Sequence, residues 1–118
     1  MSTLNVGTIR GTGSTAPVFA NSSGTETGVL VFAWVNFTTA GSSTINGDFN
    51  VSSITENSTS EYQINFSNAA PNDDYSAIPN ANLESNVWAH TLTTGYYRIS
   101  TGGGLGTQEM HSVAISDQ

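Results

Sequence analysis

Between residues 29 and 37 apolar side chains occupy both phases of an alternating pattern: Val29, Val31, Ala33, Val35 and Phe37 on one, Leu30, Phe32 and Trp34 on the other. A period of two belongs to a β-strand, whose successive side chains point to opposite faces. Apolar residues on both faces predict a strand that is covered twice, or one with a face in the core and a face in a subunit contact. Tyr62, Ile64 and Phe66 alternate instead with Gln63 and Asn65, the pattern of a half-buried strand. Further short runs rich in β-branched and aromatic residues fall at 43–49, 51–55, 75–79, 87–93, 96–100 and 110–115, separated by Gly, Asn, Ser and Asp. No stretch keeps apolar residues at helical spacing for more than a turn. The expectation is an all-β chain, an antiparallel β-sandwich of about seven or eight strands with an extended N-terminal arm. Its predicted core includes Val31, Val35, Phe37, Phe49, Ile54, Ile64 and Phe66.

The turn residues divide the strands. Asn46-Gly47 and Thr94-Gly95 predict hairpin turns that use positive φ, and residues 56–60 separate two further strands. Residues 1–27 read as an arm, with a short strand at 5–9, a Gly-rich stretch at 11–14 and an extended segment at 16–20. So lightly apolar a segment cannot bury itself, and it is either a loose tail or an arm that orders against a neighbour. Residues 28–118 form the sandwich domain.

The charge balance narrows the partners. Lys is absent, the basic residues are Arg10 and Arg98, and the 9 acidic residues leave a net charge of -7. Binding a phosphate backbone depends on clustered cations, so nucleic acid is excluded, and anionic membrane surfaces with it. The longest apolar run, 29–35, is too short to span a bilayer, and the N-terminus lacks the basic start and apolar stretch of a secretory leader, which predicts synthesis in a cytoplasm. With no cysteine the fold must be held by packing, backbone pairing and subunit association.

Candidate chemistry is sparse. The two histidines, His90 and His111, stand in no recognisable nucleophile motif, and His90 alternates with Trp88 and Leu92 as a residue lining a sheet face. Asp73-Asp74 lacks ligands at calcium-loop spacing, and Gly102-Gly103-Gly104-Leu105-Gly106 lacks the Lys and helix of a phosphate loop. No catalytic residue, metal site or cofactor is expected. Trp88, His90, Tyr96, Tyr97 and Arg98 fall in neighbouring predicted strands and form either a sugar-stacking or protein-contact patch, or in part the core.

Four segments then stand out in combination: Ala33-Trp34-Val35-Asn36-Phe37, residues 49–57, Tyr62-Gln63-Ile64-Asn65-Phe66, and Ala70-Pro71-Asn72-Asp73-Asp74-Tyr75. Together with residues 17–26 before them, they resemble a module of tail-fibre-like virion proteins of marine, cyanophage-type phages. The resemblance covers somewhat more than half the chain and ends at Tyr75. It implies a β-sandwich on the outside of a virion, commonly a homotrimer; the expected partners are other tail or capsid proteins, with a host surface glycan as the ligand of the aromatic patch. Val18, Phe19, Leu30, Phe32 and Trp34 are then the candidates for subunit or virion contact. A capsid decoration protein is the rival within the same class, and a free carbohydrate-binding lectin lies outside it. A depolymerase would need paired carboxylates in a long groove, which so few acidic residues do not provide.

Overall fold

The computed structural model describes residues 3, 5–9, 19–28, 30–39, 42–83, 86–103 and 107–116, and every regular element in them is a β-strand. In chain order these are β1 (Phe19–Ala20), β2 (Glu26–Gly28), β3 (Leu30–Thr39), β4 (Thr44–Phe49), β5 (Val51–Ser58), β6 (Glu61–Phe66), β7 (Tyr75–Ala81), β8 (Val87–His90), β9 (Tyr96–Thr101) and β10 (Gln108–Ser116). Strands β3 to β10 build two four-stranded antiparallel sheets, β4-β3-β10-β7 (sheet I) and β5-β6-β9-β8 (sheet II), as the alternation predicted. Strands β1 and β2 pair with each other and with neither of these sheets.

Hairpins join β3 to β4, β5 to β6 and β8 to β9 within a sheet, while the chain changes sheet after β4, β6, β7 and β9. One residue, Asn50, turns the chain from β4 to β5 with φ of 56°. That left-handed region suits Asn because its short amide can bond locally. Its Oδ1 accepts from the Asn68 backbone N–H (2.8 Å) and its Nδ2 donates to the Asn68 carbonyl (3.1 Å), fastening the corner to the segment after β6.

Bulges decide which side chains reach the core. In β3, Ala33 pairs with Ala114 but Val31 with Ile115, so Phe32 is an extra residue and the alternation flips there. Phe32 turns inward and meets the Phe66 ring edge-on at 5.0 Å, while Val31 points outward and is 47% exposed. In β4, Asn36 pairs with Gly47 and Phe37 with Ile45, so Asn46 is the extra residue. Ile45 packs on the core, whereas Phe49, beyond the bulge, is 54% exposed. The predicted core placements of Val31 and Phe49 are thus corrected by one mechanism. The Asn46-Gly47 hairpin turn is corrected as well, since both residues lie inside β4.

The remaining core follows the pattern. Val35, Phe37, Ile64 and Phe66 are buried and Ile54 packs half-buried against them. Phe66 lies within 6 Å of the ring centroids of Phe32, Tyr75 and Tyr97. Tyr75, inside the core, donates its hydroxyl to the carbonyls of Thr93 (2.9 Å) and Tyr96 (3.0 Å), so that β7 of sheet I holds the β8–β9 connection of sheet II. The predicted strand at 87–93 ends early, at His90, because Thr91 takes φ of 49°.

The four edges of the two four-stranded sheets are blunted. Strand β4 carries the Asn46 bulge, β5 carries bulges at Ser52 and Asn57, β7 contains Pro79, and β8 has 4 residues. Of the arm, residues 5–9 are exposed, and Asn21 closes the β1–β2 hairpin by accepting from the N–H groups of Ser23 and Thr25. Val18 lies outside the described residues, as do the side chains of Phe19 and Leu30.

Candidate functional site

With the core filled from both sheets, the two outer faces remain, and the cross-strand register places their residues in rows. On sheet II, Trp88 stands opposite Ser100, which stands opposite Glu61; in the next row His90, Arg98 and Gln63 are aligned; Tyr96 and Asn65 follow. Residues directly opposite on an antiparallel pair lie within side-chain reach.

These groups interlock across all four strands. Asn57 Nδ2 and Arg98 Nη1 both donate to Glu61 Oε1, at 3.0 and 3.3 Å. Arg98 Nε donates to Gln63 Oε1 (3.2 Å), Gln63 Nε2 to Asn65 Oδ1 (2.7 Å), and Asn65 Nδ2 to the hydroxyls of Ser53 and Thr55. The guanidinium also lies over the Tyr96 ring, 5.7 Å from its centroid. His90 Nε2 contacts the Ser100 hydroxyl and Nδ1 the Thr91 hydroxyl, both at 2.8 Å. Trp88, at the edge of this face, is 49% exposed.

The aromatic patch expected from the sequence is therefore divided. Trp88, His90, Tyr96 and Arg98 share the outer face, but Tyr97 is fully buried, because neighbours on one strand point to opposite sides. Burial pushes its hydroxyl up to about 12. Glu61, Gln63, Asn65 and Ser100 belong to the same face, beyond the residues to which the sequence points. The alternation of Tyr62, Ile64 and Phe66 already turns the first three outward, but the pairing of β6 with β9 is a tertiary fact that periodicity does not carry.

Sheet I has the opposite character. Phe49, Trp34, Val113 and Ile78 stand directly opposite one another on β4, β3, β10 and β7, a row of apolar side chains crossing the whole sheet. Phe49, Trp34 and Ile78 are 54%, 40% and 59% exposed. Trp34 lies across Gly47, where an added Cβ would sit 3.4 Å from the indole. Beside this row lies a polar one, in which Asn36 Nδ2 donates to Glu109 Oε1 at 2.7 Å and His111 approaches the same oxygen at 3.7 Å. Of the residues foreseen for subunit contact, Trp34 lies on this outer face, while Phe32 is turned to the other side and packs half-buried against the core.

The Ser100–His90 contact has the length of a nucleophile–base pair, but Glu61 approaches the same imidazole nitrogen, Nε2, at 3.6 Å. A carboxylate that orients the ring must act on the opposite nitrogen, which here meets Thr91. Among the described residues no three His, Cys, Asp or Glu side chains gather as a metal site, and no helix is long and apolar enough to cross a membrane. No family model matches the chain, and neither the curated proteins nor the solved structures compared with it include a match.

Proposed function

We propose that this chain is a non-catalytic structural protein of a bacteriophage surface, a tail-fibre-like appendage that takes part in host attachment. The observation that carries this reading is the row Phe49, Trp34, Val113 and Ile78 across the outer face of sheet I. A contiguous apolar row rimmed by polar side chains is the composition of a protein contact rather than of a solvated face. Because the sheet edges are blunted, association runs face to face, and a homotrimer or similar closed oligomer covers the row. The resemblance of residues 17–75 to marine phage fibre modules points to the same setting. Non-catalytic character is supported by the Ser100–His90 pair, whose nearest carboxylate stands at the wrong nitrogen.

In this reading the arm, residues 1–27, tethers the domain to tail or capsid proteins, with Val18 and Phe19 as its apolar anchors. Sedimentation of the protein at micromolar concentration tests the oligomer: a closed assembly is expected, and it should dissociate when Trp34 and Ile78 are both replaced by Glu. Imaging of labelled protein on the particle tests the setting. Density on the tail is the expected result, density on the head makes it a decoration protein, and absence from the virion overturns the proposal. Deleting residues 1–20 should leave the sandwich folded and weaken its incorporation.

A further inference from the structure

We propose that the outer face of sheet II binds a neutral, hydroxyl-rich saccharide, with Trp88 as stacking platform and Glu61, Arg98 and Ser100 as the groups that read hydroxyls. This names a ligand class for the attachment role above, and it rests on that role only for where such a glycan would be met.

Three features of the face lead there. First, it carries one large exposed apolar surface, the Trp88 indole, beside a field of planar polar side chains. An apolar body with a polar surround suits the mixed C–H and O–H surface of a sugar ring, whereas a protein contact needs a wider apolar centre, which this face lacks. Second, the polar groups are held in place. Arg98 is bonded to Gln63 and Glu61 and lies over Tyr96; Gln63 is fixed by Asn65, and Asn65 by Ser53 and Thr55. Surface arginines ordinarily keep their rotamer freedom, and a face that removes it has already lost the entropy that ligand binding would otherwise remove.

Third, bonding capacity remains. A guanidinium has five N–H donors, and among the described residues Arg98 uses one on Nε and one on Nη1, leaving the two on Nη2 and the second on Nη1 uncommitted. Glu61 commits Oε1 to Asn57 and Arg98, while Oε2 stands 3.6 Å from His90. A planar donor beside a planar acceptor is the arrangement that meets vicinal hydroxyls, each of which donates and accepts. Charge selects the neutral class: Glu61 balances Arg98 at 3.3 Å, and a chain of net charge -7 repels polyanions.

The test uses the full-length protein and a panel of neutral glucose-, galactose- and mannose-based oligosaccharides, together with sulfated and uronate-bearing counterparts, read by calorimetry and tryptophan emission. Binding to at least one neutral member is expected, weakened about ten-fold or more by Trp88→Ala and largely kept by Trp88→Tyr. Glu61→Gln should weaken it too, while Leu83→Ala, on an exposed loop residue, should leave it unchanged. Thermal melts of each variant separate loss of the site from loss of the fold. Absence of binding across the neutral panel, preference for the anionic members, or binding undisturbed by Trp88→Ala in a folded variant would each overturn the proposal. None of these outcomes depends on finding the protein on a virion or on its oligomeric state, so this proposal and the preceding one can fail separately.

Discussion

The hydroxyl of Tyr97 donates to that of Ser112 at 2.9 Å in the middle of the core, one residue from each sheet. Both residues are buried, so neither hydroxyl can turn to water if its partner is removed. Ser112→Ala should therefore cost about 1–3 kcal/mol and Tyr97→Phe a similar amount. The double variant should cost less than the sum, because both unmet groups are then gone. Urea unfolding of the four proteins measures this coupling, and strict additivity would argue against it.

Alkaline pH should unfold the protein through the same tyrosine. Burial raises Tyr97 and Tyr75 to about 12, above the value near 10 that each has in the unfolded chain. A raised folded-state value gives stability that is intact below pH 10 and is lost as pH climbs through 12, because the unfolded chain ionises first. For Tyr97 the loss is on the order of 2–3 kcal/mol. Tyr97→Phe should flatten the stability profile between pH 10 and 12, and an equally steep decline in that variant would exclude Tyr97 as its source.

Phe66, ringed by Phe32, Tyr75 and Tyr97, should be among the costliest positions to truncate. Phe66→Ala is expected to lose about 3–5 kcal/mol, whereas Phe49→Ser, beyond the β4 bulge, should change monomer stability by about 0.5 kcal/mol or less. Denaturant melts at a concentration too low for association compare the two directly. A large cost at Phe49 would mean that its outward placement is wrong.

The corner at Asn50 yields an ordering rather than a single value. Asn50→Gly keeps the left-handed backbone and loses the bonds to Asn68, while Asn50→Ala loses both. Melting temperatures should fall in the order native, Gly, Ala, with Ala about 1–3 kcal/mol below native. Ala equal to Gly would show that the backbone conformation contributes nothing.

Much of this fold is legible in the alternation, and where reading fails the cause is physical. All eight sandwich strands are visible as short runs rich in β-branched and aromatic residues between breaks of Gly, Asn, Ser and Asp. Val31 and Phe49 are misplaced because a bulge is a single extra residue with no signal in apolar spacing, and it inverts everything beyond it. Tyr97 is grouped with Tyr96 and Arg98 by nearness in sequence, although adjacent strand residues lie on opposite faces. The row from Phe49 to Ile78 is illegible for another reason: its members come from β4, β3, β10 and β7, and only the sheet order makes them neighbours.

The bulges, the proline and the short strand at the sheet margins also govern how the protein behaves when crowded. Polymerisation of β-proteins commonly begins when an open backbone edge recruits a strand from another chain, and here each margin is bent, lacks a donor or is too brief to template one. Conversion to fibrils must then wait for a strand to be pulled out of its sheet. A concentrated solution warmed to just below its melting point should stay clear, with turbidity rising only alongside global unfolding.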